Sequence, residues 1–130
     1  MGNVIPSRIL VVEDEPLVAM LLEDMLVDLG FEVVGPALRF DRAMELAAAE
    51  AIDAAILDVN LGSHRSDAVA AALRERGVPF LYATGYGSGG VAAGDAAVIR
   101  KPFQQDQIAS ALARLMEGAE GRRRQAGTPG

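Results

Sequence analysis

Residues 8–16 read Arg8-Ile9-Leu10-Val11-Val12-Glu13-Asp14-Glu15-Pro16, and the change from apolar to acidic within them decides the architecture. Residues 9–12 form an unbroken β-branched and aliphatic run, the signature of a strand buried on both faces. Over residues 17–29 that follow, Val18, Leu21, Leu22, Met25 and Leu29 fall at helical spacing, with Glu23, Asp24 and Asp28 off that side. Pro16 suits the first helical turn and Gly30 the stop. A fully buried strand feeding an amphipathic helix is the unit of a parallel sheet, and the acidic cluster falls on its turn.

The same alternation continues along the chain. Further strand signals lie at residues 31–34, 54–57, 80–83 and 97–99, and helical patterns at 41–51, 67–76 and 103–116. The second of these helices ends at Gly77 with Pro79 just beyond. Ile108, Leu112 and Leu115 form the apolar stripe of the last. Residues 85–94 hold five glycines in ten positions, leaving room for only a short, mobile fourth helix around 91–93. Parallel strands need crossovers, so five strands separated by helices predict a doubly wound α/β sheet with helices on both faces.

The chain has 130 residues, 51% of them hydrophobic, which suits one domain able to bury a core. We expect an N-terminal extension at residues 1–7, the domain at 8–116 and a disordered tail at 117–130, rich in Gly, Ala and charge with no apolar period. Without cysteine there are no disulfides and no thiolate sites. Neither a signal-peptide pattern nor a membrane-length apolar run occurs, so the cytoplasm is the expected location. A net charge of -6, with Arg122 to Arg124 as the only basic cluster, argues against DNA binding.

Doubly wound folds bind ligands beyond the carboxyl ends of their strands. Here the first strand ends in Glu13-Asp14-Glu15, the third in Asp58 and the fourth in Thr84, while the fifth runs through Arg100 into Lys101-Pro102. Carboxylates gathered at one edge repel one another unless a cation joins them, and an all-oxygen donor set suits Mg²⁺ or Mn²⁺. Zinc is disfavoured, since His64 is the only histidine and reads as a surface loop residue. Beside such a metal Asp58 is a candidate nucleophile toward a phosphoryl group, with Lys101 supplying a point charge and the Thr84 hydroxyl a hydrogen bond. Taken singly, Lys101 fits a structural salt bridge equally well, and Thr84 a helix cap.

In combination these residues resemble the receiver domains of bacterial two-component response regulators, over residues 8 to about 116. The resemblance implies a flavodoxin-like five-stranded sheet of order 2-1-3-4-5. It implies metal binding by Asp14 directly, by Glu13 largely through water, by Asp58 and by the Asn60 backbone carbonyl. It also implies phosphorylation on Asp58, a switch hydroxyl at Thr84, and a lysine at Lys101 with a cis bond before Pro102. Such a protein is a phosphoacceptor rather than an enzyme, without an output domain and most simply monomeric. Its partners are a sensor histidine kinase or a histidine phosphotransfer protein and a downstream protein.

The run Pro79-Phe80-Leu81-Tyr82-Ala83-Thr84-Gly85-Tyr86 is similar to the Phe-Ala-Thr-Gly-Tyr signature of a single-domain, mainly alphaproteobacterial subgroup coupled to kinases of the HWE or related type. Ordinary members carry a small residue such as alanine where Gly85 stands and an aromatic where Val98 stands. We therefore expect Thr84, Gly85 and Tyr86, with the glycine-rich segment, to act as the switch. Rival readings are a pseudo-receiver, disfavoured by the full residue set, and a haloacid-dehalogenase-like phosphatase, disfavoured because Asn60 stands where a second aspartate is wanted. A flavodoxin-like flavin binder is disfavoured by the acidic first turn, which repels an anion.

Overall fold

The structure, a computed structural model, describes residues 6–61, 64–84, 97–101 and 103–127. In chain order its elements are β1 (Arg8–Val12), α1 (Pro16–Asp28), β2 (Glu32–Ala37), α2 (Phe40–Ala49), β3 (Ala54–Asp58), β4 (Asn60–Leu61), β5 (His64–Arg65), α3 (Asp67–Glu75), β6 (Phe80–Thr84), β7 (Ala97–Arg100) and α4 (Gln105–Gly127). Five strands pair in parallel in the order β2-β1-β3-β6-β7. With the small β4–β5 hairpin set aside this is the 2-1-3-4-5 order of a doubly wound sheet, as the sequence implies.

Successive residues of a strand point to opposite faces, so one buried run feeds two cores. Leu10 and Val12 of β1 join Leu57, Leu46 and Leu73 in a cluster with α2 and α3. Ile9 and Val11 join Ile56, Leu81, Leu22 and Leu112 in a second cluster with α1 and α4. Because β1, β3 and β6 are covered on both sides, their carboxyl ends are fixed by packing, and whatever they carry is held in place.

Three local findings differ from the sequence reading. Along α1 the buried positions are Ala19, Leu22 and Leu26, while Leu21 is exposed; the apolar surface is broader than the stripe Val18 to Leu29 implies, and packing selects another part of it. Asn60–Leu61 and His64–Arg65 pair antiparallel, Asn60↔Arg65 and Leu61↔His64, where the sequence reading puts His64 in a loop. Finally, α4 continues to Gly127 where a disordered tail is expected. Residues 117–125 contain no proline and are rich in helix-favouring Ala, Glu, Arg and Gln, so the helix propagates after its last core contacts at Leu115 and Met116. The expected short helix at 91–93, the switch positions Gly85 and Tyr86, and Pro102 lie outside the described residues.

The β1–β2 register slips between Leu10 and Val12, so that Gly35 and Pro36 together oppose Val11. This irregularity carries Ala37 to the position where its carbonyl accepts the Glu13 N–H at 3.0 Å, holding the first acidic residue after β1. Gly35 has φ +98°, and a Cβ there would meet the Ala37 nitrogen at 2.7 Å and the Val11 carbonyl at 3.2 Å. Gly30 also has positive φ, but its surroundings are open. Gly35→Ala is therefore expected to cost about 2 kcal/mol or more and Gly30→Ala about 1 kcal/mol. Denaturant unfolding of both variants checks this, and equal losses would contradict it.

Candidate functional site

The strand order reverses between β1 and β3, where a doubly wound sheet opens its binding crevice. Glu13 and Asp14 follow β1, and Asp58 closes β3. Next along, β6 ends at Thr84, and β7 leads into Lys101. The Thr84 carbonyl accepts the Lys101 N–H at 2.8 Å, tying those two strand ends together.

Carboxylate oxygens of Glu13, Asp14 and Asp58 lie within 4.8 Å of one another. Glu13 is 1% and Asp58 8% exposed, which is unusual for carboxylates and costly without compensation. Lys101 supplies positive charge: its Nζ lies 2.7 Å from Glu13 Oε1 and 3.8 Å from Asp58 Oδ2. The other Glu13 oxygen accepts the Glu15 N–H at 3.1 Å, fixing the acidic turn. Three carboxylates against one ammonium leave the cluster short of positive charge. Its all-oxygen donor set fits a hard divalent cation.

Burial, then hydrogen bonding with Asp14 and the charge of Glu13, push the Asp58 carboxyl up to about 8, with Lys101 acting in the opposite sense. Burial lowers the affinity of Lys101 for its proton, but contact with Glu13 and the charges of Asp58, Glu13 and Glu15 outweigh this and raise its pKa. Without a metal, Asp58 thus tends to keep a proton near neutral pH. A cation among the three carboxylates favours the ionised form, which is the nucleophilic one.

Glu13, Asp14, Asp58 and Lys101 are brought together as the sequence reading expects, and buried Thr84 stands on the neighbouring strand, one residue past Ala83 in the Asp58↔Ala83 register. Asn60 lies two residues beyond Asp58, at the start of β4. Two contributors escaped the sequence reading. Glu15 places its Oε1 3.8 Å from Lys101 Nζ, although its spacing from Lys101 in sequence gives no hint of this. Ser66 is fully buried, and both its N–H and its hydroxyl donate to the Val59 carbonyl at 3.1 Å, pinning the chain just after Asp58. A serine directly before the Asp67 helix was a visible capping signal, but its side chain turns back to Val59 instead.

A doubly wound sheet of this order with an acidic cluster, a threonine and a lysine on adjacent strand ends defines a receiver-type domain. Residues 9–113 match the family model of the response regulator receiver domain, and the chain belongs to that family. It is 35% identical over 116 residues to the phyllosphere-induced regulator PhyR of Methylorubrum extorquens, a match that takes in 85% of this chain and 43% of PhyR. The chain therefore spans less than half the length of that relative. Among solved structures it is similar to SdrG from Sphingomonas melonis Fr1, with 46% identity, a TM-score of 0.76 and coverage of 85% of this chain and 97% of SdrG. It is also similar to the receiver domain of the sensor histidine kinase PA1611 from Pseudomonas aeruginosa PAO1, with 26% identity, a TM-score of 0.77 and coverage of 87% and 99%. That domain has a magnesium ion coordinated in its active-site cleft. Among the described residues no helix of the present chain is long and apolar enough to cross a membrane.

Proposed function

We propose that this chain is a phosphoacceptor that takes a phosphoryl group onto Asp58 from a histidine kinase or a histidine phosphotransfer protein, and signals through changed protein contacts. The observation that carries this reading is the gathering at the switch point of the sheet of Glu13, Asp14 and Asp58, whose carboxylate oxygens lie within 4.8 Å of one another, with Lys101 Nζ 2.7 Å from Glu13 Oε1 and 3.8 Å from Asp58 Oδ2. Glu13, Asp14, Asp58 and the Asn60 carbonyl would hold Mg²⁺ or Mn²⁺, which would supply positive charge that favours the ionised form of Asp58 and offsets phosphoryl charge. An Asp58 carboxylate oxygen attacks the phosphorus, the phosphorus–nitrogen bond of the phosphohistidine breaks, and the imidazole leaves with that electron pair. Lys101 holds one phosphoryl oxygen, and the Thr84 hydroxyl donates to another. Thr84, Gly85 and Tyr86 carry the change outward.

The relationship to SdrG and the Phe-Ala-Thr-Gly-Tyr-like run favour a kinase of the HWE or related type as donor. The acidic charge and the Lys101-centred site support a protein rather than a nucleic-acid partner. In this reading the chain works in the cytoplasm as a monomer, and its receiver unit ends near Met116, where core packing ends.

Incubation with phosphoramidate and Mg²⁺ tests the reading by intact-mass and fragment analysis. The expected result is one phosphoryl group per chain, located on Asp58, with a rate that falls on the order of 100-fold when the metal is chelated. Modification at another residue, or a rate indifferent to chelation, would overturn it.

A further inference from the structure

Glu15 stands immediately before helix α1, with extended backbone and its carbonyl accepting the Ala19 N–H at 2.9 Å. An acidic side chain at a helix start ordinarily serves the free N–H groups of the first turn. That of Glu15 makes no capping bond. It lies instead with its Oε1 3.8 Å from the Lys101 ammonium, and 66% of the side chain is exposed. Glu13 meets the same ammonium at 2.7 Å from an almost wholly buried position. Lys101 is thus flanked by an inner carboxylate and an outer one, and the contact with Lys101 keeps the outer one at the mouth of the site rather than over its own helix.

The charges of the inner site balance. Glu13, Asp14 and Asp58 are three carboxylates, and when they are ionised the Lys101 ammonium and one divalent cation cancel them. Glu15 falls outside that balance, so its carboxylate decides the sign of the field that an arriving phosphodonor meets. Resting on the phosphoacceptor reading above, we infer that Glu15 selects the phosphodonor by charge. Its carboxylate disfavours dianionic acyl phosphates relative to phosphoramidate-type donors, whose protonated nitrogen leaves them less anionic. A phosphohistidine with a proton on its second ring nitrogen belongs to the favoured class. In this role Glu15 touches no reacting atom and acts through its field alone. Because the side chain is exposed, water and salt weaken that field, and the result is a preference of severalfold rather than an exclusion.

The test follows phosphorylation of the full chain by acetyl phosphate and by phosphoramidate in saturating Mg²⁺, read by intact mass, for the native chain, Glu15→Gln and Glu15→Asp. Glu15→Gln is expected to raise the rate with acetyl phosphate relative to that with phosphoramidate by about fivefold, and Glu15→Asp to keep the native ratio within about twofold. Added salt should move the native ratio in the same direction as Glu15→Gln does, and move that variant's ratio less. A Mg²⁺ titration read by backbone amide NMR involves no donor. There Glu15→Gln should bind the metal about two- to threefold more weakly, the opposite sense to its gain with acetyl phosphate. An unchanged donor ratio in Glu15→Gln, a Glu15→Asp chain that behaves like Glu15→Gln, or Mg²⁺ binding no weaker than native would overturn the inference. With the native chain labelled on Asp58 by both donors, those results sink the charge selection alone. A native chain labelled by neither donor overturns the phosphoacceptor reading and this inference with it.

Discussion

Asp58→Asn is expected to make the metal-free chain more stable while removing its response to Mg²⁺ and to phosphodonors. In the folded chain burial and the neighbouring carboxyl groups push the Asp58 carboxyl up to about 8, from an ordinary value of 3.8. Between those values the folded state keeps a proton that the unfolded state has released. The contribution of Asp58 to stability is therefore full below about pH 4 and is lost as pH rises through about 8. Asparagine keeps the shape, removes the titration and relieves repulsion by Glu13. The expected gain is on the order of 1 to 3 kcal/mol near pH 8, less than the whole shift would give, because solvent reaching the cluster screens it.

Thermal unfolding from about pH 5 to about pH 8 should then show a falling midpoint for the native chain and a flatter one for Asp58→Asn. Mg²⁺ should reverse the order. A ligand at one hundred times its dissociation constant stabilises by about 2.7 kcal/mol, and the variant should lose most of that. A native chain whose midpoint rises over this pH range without metal would contradict the assigned environment of Asp58.

Lys101→Met has the opposite expected effect. It removes the ammonium 2.7 Å from Glu13, whose carboxylate is almost wholly buried, and leaves that charge and Asp58 without this compensation. Breaking one partner of a buried ion pair costs about 3 to 5 kcal/mol; protonation of Asp58 should soften this to roughly 2 to 4 kcal/mol in metal-free buffer. Methionine keeps most of the packed stem, so lost volume is not the cause. Mg²⁺ should recover much of the loss, and the double variant Asp58→Asn/Lys101→Met should be markedly less damaged than the two single effects summed. Additive effects in that cycle would show that the groups act independently.

The fold was legible wherever burial on both faces wrote itself as an unbroken apolar run. Ile9 to Val12 and Ala54 to Leu57 have no other sensible reading, and the five-stranded order follows from crossovers between such runs. Local pairings without an apolar signature were not legible. The Asn60–Arg65 hairpin is one, and the extension of β2 to Ala37 across Gly35-Pro36 is another, because both residues ordinarily end a strand. Helix α4 passes Met116 on propensity alone, and periodicity does not report propensity. At the site, Glu13, Asp14, Asp58, Thr84 and Lys101 were legible because strand ends converge in this topology. The contacts of Glu15 with Lys101 and of Ser66 with Val59 depend on side-chain direction, which spacing along the chain does not encode.

The account turns on whether Asp58 and a divalent metal together accept a phosphoryl group. Backbone amide NMR of the native chain and Asp58→Asn, first with Mg²⁺ and then with Mg²⁺ and beryllofluoride, tests this most directly. The account predicts saturable shifts at Asp14, Asp58, Thr84 and Lys101 that need metal, beryllofluoride and Asp58 together. A native chain that ignores beryllofluoride in the presence of Mg²⁺, or an Asp58→Asn variant that responds equally, would contradict it.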